Sequence, residues 1–267
     1  MRDEITPMII TYNEAPNIRR TLDKLLWAKS IAVIDSGSTD ETVEILRDYA
    51  QVQIFEHPFS DFASQCNFGL TCVSSPWVLS LDADYELTDQ LISEIDGLSP
   101  DAGPSGYQVR FVYRVYGKPL HGTLYTPRTV LYRRDRARYR NEGHGHRVII
   151  DGDIRPLQGC IFHDDRKPLA RWILSQRSYA REEANYLLGP RVVAFSKTDR
   201  IRLTGWLAPI GVFFYTLFVN GCILDGWAGW YYVLQRVIAE ALIALEIIDR
   251  RLAIKSGPGS ARADKLP

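Results

Sequence analysis

Along the first hundred residues, short apolar runs alternate with segments in which apolar residues recur at helical spacing. The runs that predict strands are 8–10, 31–34, 52–55 and 77–81. Helical spacing is found in the stripe Ile18, Leu22, Leu25 and Leu26, in residues 62–73 and in residues 87–98. Ser38 and Glu41 have the spacing of a capping box before another helix. This alternation predicts an α/β fold with a mostly parallel, doubly wound sheet.

Polar clusters directly follow three of the predicted strands. They are Thr11–Glu14, Asp35–Asp40 and Asp82–Asp84. In open α/β sheets, ligands bind beyond the carboxyl ends of the strands, near the switch in strand order. We therefore expect the three clusters to form one ligand site at one edge of the sheet.

The pattern changes after residue 100. Residues 107–112, 129–132 and 147–150 alternate apolar and polar side chains, which predicts antiparallel strands. Residues 169–188 have the periodicity of a long helix that carries several arginines. The tail, residues 256–267, is rich in Gly, Pro and charge, and this composition predicts disorder.

Residues 206–252 combine features of segments that lie on membranes. The run 206–224 is uncharged but is broken by Pro209 and Gly211, and a Trp/Tyr group typical of a membrane interface follows it. A later helix places one apolar stripe on one face: Val237, Ala241, Leu245, Ile248 and Leu252. We expect helices on the membrane surface that do not cross it. Packing on the catalytic domain, or in a homodimer interface, is the alternative.

Charge and cysteine content narrow the class of protein. Lys and Arg number 32, as do Asp and Glu, and this balance argues against a nucleic-acid partner. The four cysteines show no Cys-x-x-Cys spacing, so we expect reduced thiols. The first residues lack the apolar core of a signal peptide, which favours a cytoplasmic location. Five arginines within residues 133–140 form either a solvated face or a surface for acidic lipid head groups or phosphorylated acceptors.

The three polar clusters offer specific chemistry. Asp82 and Asp84 flank a small residue and could hold a divalent cation, Mn²⁺ or Mg²⁺, which would neutralise a diphosphate; a solvated turn is the alternative. Asp35 could accept a hydrogen bond from the imide N–H of uracil or a similar base, or its loop could only start a helix. The remaining cluster could supply a stacking ring and polar groups for a ribose, or be a plain loop: Thr11, Tyr12, Asn13 and Glu14.

Four segments resemble, in order, the motifs of family-two glycosyltransferases with the GT-A fold: MIITYNEAPNI, VIDSGSTDETVEI, FASQCNFGL and WVLSLDADYEL. More loosely, HDDRKPLARW and LDGWAGWYY resemble segments of bacterial lipopolysaccharide-core and envelope sugar transferases. The resemblance implies a nucleoside diphosphate sugar donor and inversion at the anomeric carbon. It assigns Asp35 to the base and Asp82 and Asp84 to the metal and ribose. It adds three donor-binding residues: Ser36, Gln65 and Asn67.

The chain departs from these relatives in two places. Many relatives have Arg or Lys before Asn67, where this chain has Cys66, so an arginine of the 133–140 cluster is the candidate replacement for that phosphate contact. On the acceptor side, Glu142 is the first candidate for the base that inversion requires and His144 the second, because a carboxylate is ionised near neutral pH without tuning. A loop with structural histidines is the alternative.

His163 follows an apolar run and should therefore end a strand. It could be a metal ligand, a hydrogen-bond donor to the diphosphate, or a capping residue.

The resulting hypothesis is an inverting sugar transferase, peripheral on the cytoplasmic membrane face, with a lipid-linked or envelope glycan acceptor. It has four parts: a nucleotide-sugar half (1–100), an acceptor half (101–200), a helical membrane or dimerisation region (201–255) and a tail (256–267). A polyprenyl-phosphate sugar transferase and a non-catalytic nucleotide-sugar-binding membrane protein are the alternatives. A nucleotidyltransferase fits less well, because the loop 11–17 contains no glycine.

Overall fold

The computed structural model describes residues 1–100, 103–142, 145–190 and 194–256, without the side chains of residues 142, 145, 146, 255 and 256. The chain divides into two compact units, Met1–Lys167 and the residues from Pro168 onward. The sequence placed a boundary near residue 200; the structure divides the chain just before a long helix begins at Leu169.

The first unit is built on a mixed sheet. Its strands are β1 (Ile5–Thr11), β2 (Ile31–Asp35), β3 (Val52–Glu56), β4 (Trp77–Asp82), β5 (Tyr85–Leu87), β6 (Gly106–Val115), β7 (Lys118–Pro119), β8 (Arg128–Arg133) and β11 (Ile154–His163). The order is β3-β2-β1-β4-β8-β6-β11-β5, with β7 beside β6. Neighbours in β3-β2-β1-β4 and in β6-β11 run parallel, whereas β8 and β5 run antiparallel to their neighbours. A separate hairpin pairs β9 (Ala137–Glu142) with β10 (Gly145–Ile150).

Four helices connect the strands: α1 (Ile18–Asp23), α2 (Thr42–Arg47), α3 (Phe62–Cys72) and α4 (Asp89–Asp96). The carboxylate of Asp61 and the hydroxyl of Thr88 cap α3 and α4 by accepting from backbone N–H groups. The predicted capping box before α2 is wrong. Ser38 donates its hydroxyl to Asp35, and α2 begins after Glu41 with no side-chain cap.

Successive side chains along each strand point to opposite faces of the sheet, and both faces are buried. On β1, Ile9 packs into a core with Leu22 and Leu79, while its neighbour Met8 packs on the opposite face with Ile34 and with residues of α3. A Cβ atom added to Gly69 of α3 would lie 2.6 Å from the Met8 sulfur, so a glycine is needed where this helix meets the sheet. Each such buried aliphatic side chain contributes about 1.5–3 kcal/mol.

The second unit is helical. It contains α5 (Leu169–Leu188), α6 (Lys197–Arg202), α7 (Leu207–Phe214) with a π-helical turn (Tyr215–Val219), a 3-10 turn (Cys222–Asp225) and α8 (Trp227–Ser256). Ala180 and Ala184 of α5 pack against Ile243 and Ile247 of α8. Arg202 pairs with buried Glu183 and with Glu240, and these ion pairs tie α6 to α5 and α8.

The apolar stripe predicted on the last helix does not form its packed face. Leu245, Ile248 and Leu252 are exposed, whereas Ile243 and Ile247 are buried. Helix α8 packs on α5 through Ile243 and Ile247, which lie two residues before and two residues after Leu245. Leu245 and the rest of the exposed stripe therefore lie on the outer face of α8. Among the helices that the structure describes, none is long and apolar enough to cross a membrane.

Candidate active site

The carboxyl ends of the central strands place the three predicted polar clusters side by side. Thr11 lies opposite Asp35 in the β1–β2 register, and Ile10 lies opposite Asp82 in the β1–β4 register. His163 ends β11, paired with Tyr85 just after the Asp82–Asp84 turn. The expectation of one shared edge is confirmed, and so is the position of His163 at a strand end.

Asn13 fastens the first two loops together. Its backbone takes a left-handed conformation, with φ of 55°, and its amide N–H donates to the Ser38 hydroxyl at 2.7 Å. Its side-chain oxygen accepts from the backbone N–H groups of Thr39, at 2.6 Å, and Asp40, at 3.2 Å. Asn13 therefore fixes the shape of the loop that follows β2. Tyr12, beside it, is half exposed at this edge.

Asp35 is buried at the turn after β2. One carboxylate oxygen accepts from the N–H groups of Gly37, at 2.9 Å, and Ser38, at 2.8 Å, and the other accepts from the Ser38 hydroxyl. Gly37 has φ of 85°, which a side chain would strain. Each carboxylate oxygen can accept two hydrogen bonds, so the oxygen bonded to the Ser38 hydroxyl keeps one acceptor position.

Gln65 and Asn67, on α3, have their amides engaged by the protein. Gln65 is buried and donates to the Ser36 hydroxyl and the His57 carbonyl, while its oxygen contacts His57 Nδ1. Asn67 forms two hydrogen bonds with the backbone of Tyr139, at 2.9 and 3.0 Å, and so joins α3 to β9. Between them, Cys66 lies in the core, where burial raises the pKa of its thiol.

Asp84 and His163 form the closest pair of candidate metal ligands. His163 Nε2 lies 3.1 Å from Asp84 Oδ2, and both side chains are largely buried. Burial alone would raise the pKa of Asp84, but His163 and then Lys167 outweigh it and hold that pKa well below its usual range. The pKa of His163 rises because Asp84 outweighs the opposite effect of burial. The pair therefore combines a carboxylate with an imidazole at hydrogen-bond distance.

The pair has the spacing of two adjacent ligands of one cation. Neighbouring ligands of an octahedral ion lie roughly 3 Å apart when each is about 2.1 Å from the metal. No group of three or more His, Cys, Asp or Glu side chains suited to a metal occurs within the described residues. Asp84 and His163 are therefore a pair whose spacing fits two ligands of one divalent cation.

A lysine that the sequence analysis did not single out stands beside this pair. Lys167 Nζ lies 2.7 Å from Glu14 Oε1 and 3.5 Å from Asp165 Oδ1. Burial opposes its charge, but Glu14 and Asp84 raise its pKa, so the ammonium is charged. Glu14 also accepts from Asn17, at 2.9 Å. The pairing could not be seen in the sequence, because Glu14 and Lys167 are far apart along the chain.

The segment after β11 is anchored to α1 by a buried carboxylate. Asp164 is completely buried and accepts from Arg166, at 2.7 Å, and from the Gly117 N–H, at 2.9 Å. Arg20 donates to the Asp164 carbonyl at 2.8 Å and also pairs with Glu86. These contacts explain why the segment His163–Lys167 is rich in charged residues: they hold β11 and α1 in place beside Asp84.

A cleft of about 370 Å³ opens on the other side of Asp82. Its walls include Ser80, Asp82, Tyr85, Tyr139, Arg128 and Arg147. The guanidinium carbon of Arg128 lies 4.4 Å above the ring centre of Tyr125, whose ring centre lies 4.8 Å from that of His163. Burial would lower the pKa of Arg128, but Tyr85 and Tyr125, and after them Asp82 and Asp84, raise it. The Arg128 guanidinium makes no hydrogen bond or ion pair within the part of the chain that the structure describes.

Three arginines of the 133–140 cluster have partners of their own within the protein. Arg133 donates to the Pro100 carbonyl and stacks over Trp77, and Arg134 donates to the Ser75 carbonyl. Trp77 begins β4, so these two arginines occupy the opposite edge of the sheet from Asp82. Arg136 pairs with Asp151. Arg138 and Arg140 lie on β9, and Arg140 is in register with Arg147 of β10. That an arginine of this cluster supplies the phosphate contact therefore stays a prediction. Two arginines line the cleft itself, Arg128 and Arg147, and the sequence analysis did not select them.

Of the two candidates for the base, Glu142 is the last residue of β9 and lies opposite Gly145 of β10. The side chain of Glu142 and the whole of His144 lie outside the described residues. The preceding residue, Asn141, donates to Asp61 at 3.0 Å and accepts from the Ala63 N–H at 3.2 Å, which fixes the end of β9 to the start of α3.

Residues 8–152 match the model of the family described as Glycosyl transferase family 2. The match covers more than half of the chain and spans the three clusters at the sheet edge. The chain belongs to this family. Its fold is the GT-A fold, as the resemblance of the sequence motifs implied.

Relatives of this family-2 glycosyltransferase are similar over nearly their whole length. The lipopolysaccharide core biosynthesis glycosyltransferase LpsC of Rhizobium meliloti is 26% identical over 95% of each chain. An uncharacterized glycosyltransferase of Rickettsia bellii is 24% identical, over 98% of this chain and 91% of its own. The crystal structure of S. aureus TarS 1–349 in complex with UDP-GlcNAc has a TM-score of 0.51 and 13% identity, over 94% of this chain and 92% of that one. The likeness to TarS shows a shared fold.

Proposed function

We propose that this family-2 enzyme is an inverting, metal-dependent sugar transferase. It takes the sugar from a nucleoside diphosphate donor, expected to be UDP-linked, and passes it to a lipid-linked or envelope glycan. The contact between Asp84 and His163, beside Asp82 at the carboxyl edge of the sheet, carries the proposal. Similarity to a lipopolysaccharide-core transferase over 95% of both chains supports an envelope acceptor.

The nucleotide is assigned to the loops after β1 and β2. Asp35 keeps an acceptor position that a base imide N–H can use, which favours uracil; guanine offers a similar N–H and is the next candidate. The half-exposed ring of Tyr12 can stack on the base. Asn13, Gln65 and Asn67 act through other residues, because their amides hold the loops and β9 in place. They are positioning residues for the donor site.

The diphosphate is assigned to the region between Asp84 and Arg128. Asp84 and His163 would hold a Mn²⁺ or Mg²⁺ ion, which when bound neutralises negative charge on the leaving diphosphate. Arg128 can donate a bidentate hydrogen bond to a phosphate from its position above Tyr125. It would replace the basic residue that many relatives have where this chain has Cys66. Lys167 adds positive charge close to Asp84.

Transfer proceeds by direct displacement. The acceptor hydroxyl oxygen attacks the anomeric carbon from the side opposite the diphosphate, and the electron pair of the broken C–O bond leaves with the diphosphate. Glu142, or His144 as the second candidate, takes the hydroxyl proton. An acceptor bound in the cleft beside Asp82 would approach along the β9–β10 hairpin, whose first strand ends at Glu142.

The acceptor assignment implies a place of action. A lipid-linked glycan is found at the membrane, so we propose a peripheral enzyme on the cytoplasmic face. The exposed apolar side chains of the second unit support membrane contact, and a homodimer is the alternative use of the same side chains.

A thermal-shift panel of nucleoside diphosphate sugars, with and without Mn²⁺, tests the donor assignment. We expect stabilisation by UDP-sugars that depends on Mn²⁺, and hydrolysis or transfer of the same donors. Binding without any turnover would indicate a nucleotide-sugar-binding protein instead. Glu142→Gln then tests the acceptor: near-normal transfer would indicate a phosphate acceptor, as in a polyprenyl-phosphate sugar transferase, because a phosphate needs little help from a base.

A further inference from the structure

The second unit carries a helical hairpin with an unusual surface. The hairpin consists of α7, the π-helical turn, the 3-10 turn and the start of α8, residues 207–235. Residues 203–235 contain one charged side chain, that of Asp225, and it is only 3% exposed. The exposed surface of the hairpin is therefore apolar, aromatic or uncharged.

The hairpin is a closed and well-packed structure. Gly221 and Gly226, with φ of 72° and 60°, make the left-handed turns on either side of the 3-10 turn. A Cβ atom added to Gly229 would lie 1.8 Å from the Cys222 carbonyl oxygen, so α8 packs directly on the turn backbone. Phe213 contacts Trp230 across the hairpin, with ring centres 6.3 Å apart. The apolar tip is thus held in one shape.

Apolar side chains point outward in several directions at the tip. Three pairs of consecutive residues are exposed: Phe214 and Tyr215, Phe218 and Val219, and Ile223 and Leu224. Val219 is 70% exposed and Leu224 is 73% exposed. Consecutive residues of a helix point about 100° apart, so these pairs give the tip apolar surface on more than one side. Surrounding hydrocarbon would cover every side.

The residues around the hairpin match the layers of a bilayer. Trp206 lies at its base and Trp230 on the first turn of α8, and both are exposed, as is common at the membrane interface. Lys197 and Arg200 are exposed on α6, which leads into α7, where they can meet anionic head groups. The 8 residues of α7 and the 5 of the π-helical turn give about 20 Å of helix, whereas the hydrocarbon core is about 30 Å thick.

We propose that the tip of this hairpin, residues 214–227, inserts end-on into one leaflet of a lipid bilayer. The helix is long enough to enter a leaflet and too short to cross the bilayer. Two backbone N–H groups of the turn are satisfied within the hairpin, where Asn220 donates to Tyr215 and Leu224 to Gly221, each at 2.9 Å. The outer stripe of α8, with Leu245 and Leu252, is not the docking surface.

Flotation with phosphatidylethanolamine and phosphatidylglycerol vesicles tests the insertion, using the full chain. We expect wild-type protein to float and its tryptophan fluorescence to be quenched by lipids brominated on the acyl chain. Leu224→Asp and Val219→Asp should each weaken partitioning by about 100-fold, equivalent to about 2.8 kcal/mol. Leu174→Asp on α5, 66% exposed, and Leu245→Asp on α8, 63% exposed, are matched controls that should float like the wild type.

Three results would overturn the insertion. Normal flotation of both tip variants, or loss of flotation in Leu245→Asp alone, would exclude the tip as the docking element. Absence of vesicle binding together with a dimer that Leu224→Asp dissociates would assign the tip to a second copy of the chain. These experiments need neither donor nor acceptor, so they are independent of the proposed sugar transfer. Because each substituted side chain is already exposed, the thermal unfolding midpoint should stay close to that of the wild type.

Discussion

The two sides of Asp82 differ in how their polar side chains are satisfied. On the side of β1 and β2, the side chains of Asn13 and Asp35 accept several hydrogen bonds from the loop that follows β2. On the cleft side, the side chains of Arg128 and Asp82 make no hydrogen bond or ion pair with the residues described. The first region is organised before a ligand arrives. The second offers a cation and an anion whose partners have to come from the ligand.

This contrast predicts different consequences for substitution. Changes on the loop side should lower the free energy of unfolding as well as donor affinity, because the same hydrogen bonds serve both. Changes on the cleft side should lower affinity or rate with little effect on stability, because no hydrogen bond or ion pair of the free protein is lost. Asp84 lies between the two regions, where the effect on the reaction should be largest.

Asp84→Asn should lower the rate of sugar transfer by about 10²–10³-fold or more, since it removes the carboxylate that holds the charge-neutralising ion. Transfer of a labelled sugar to an envelope glycolipid extract with Mn²⁺ measures the effect. Asp89→Asn is the matched control, because Asp89 is an exposed carboxylate that pairs with Lys24 on the surface. Full activity of the Asp84 variant, or of wild-type enzyme in a chelator, would refute the metal role.

Arg128→Gln should weaken UDP binding by about 10–100-fold, the effect of losing a charged hydrogen bond to a phosphate. The affinity for uridine should be unchanged, because uridine has no phosphate, and the unfolding midpoint should stay near that of the wild type. Calorimetry with both ligands measures the difference. Arg134→Gln, at the opposite sheet edge, is the control. An equal loss of affinity for uridine would mean that Arg128 does not bind the diphosphate.

Asn13→Gly should cost about 1 kcal/mol of unfolding free energy, since it removes the acceptor for the Thr39 and Asp40 N–H groups but keeps a residue that tolerates positive φ. Asn13→Ala should cost about 1 kcal/mol more, because alanine is strained in the left-handed region. Urea denaturation of both variants measures the costs. If neither loses stability, the loops are not organised by Asn13 and the contrast between the two sides fails.

The sequence predicted the sheet, its ligand edge and the position of His163, because strand–helix alternation and apolar runs are local signals. It could not predict the contacts of Glu14 with Lys167 or of Arg20 with Asp164, since pairing between distant charged residues leaves no pattern. Spacing alone also misled. Ser38 and Glu41 fit a capping box, yet the Ser38 hydroxyl is taken by the nearer carboxylate of Asp35.

Two arginines that line the cleft, Arg128 and Arg147, stand outside the crowded residues 133–140, so the density of arginines along the chain does not point to them. Arg128 begins a strand whose neighbours place it beside Asp82, a fact of sheet order that periodicity does not encode. The stripe on α8 was recognised as apolar, but only packing on α5 decides that its outer face is the one left exposed.

The central claim is that Asp35 selects the nucleotide and that Asp84 with His163 recruits the metal that binds its diphosphate. Calorimetric titration of UDP and ADP, each with and without Mn²⁺, tests it most directly. We predict that Mn²⁺ tightens UDP binding at least about tenfold, that UDP binds more tightly than ADP, and that Asp35→Ala removes this preference. Equal affinities for UDP and ADP in the wild type, or UDP binding that Mn²⁺ does not change, would contradict the account.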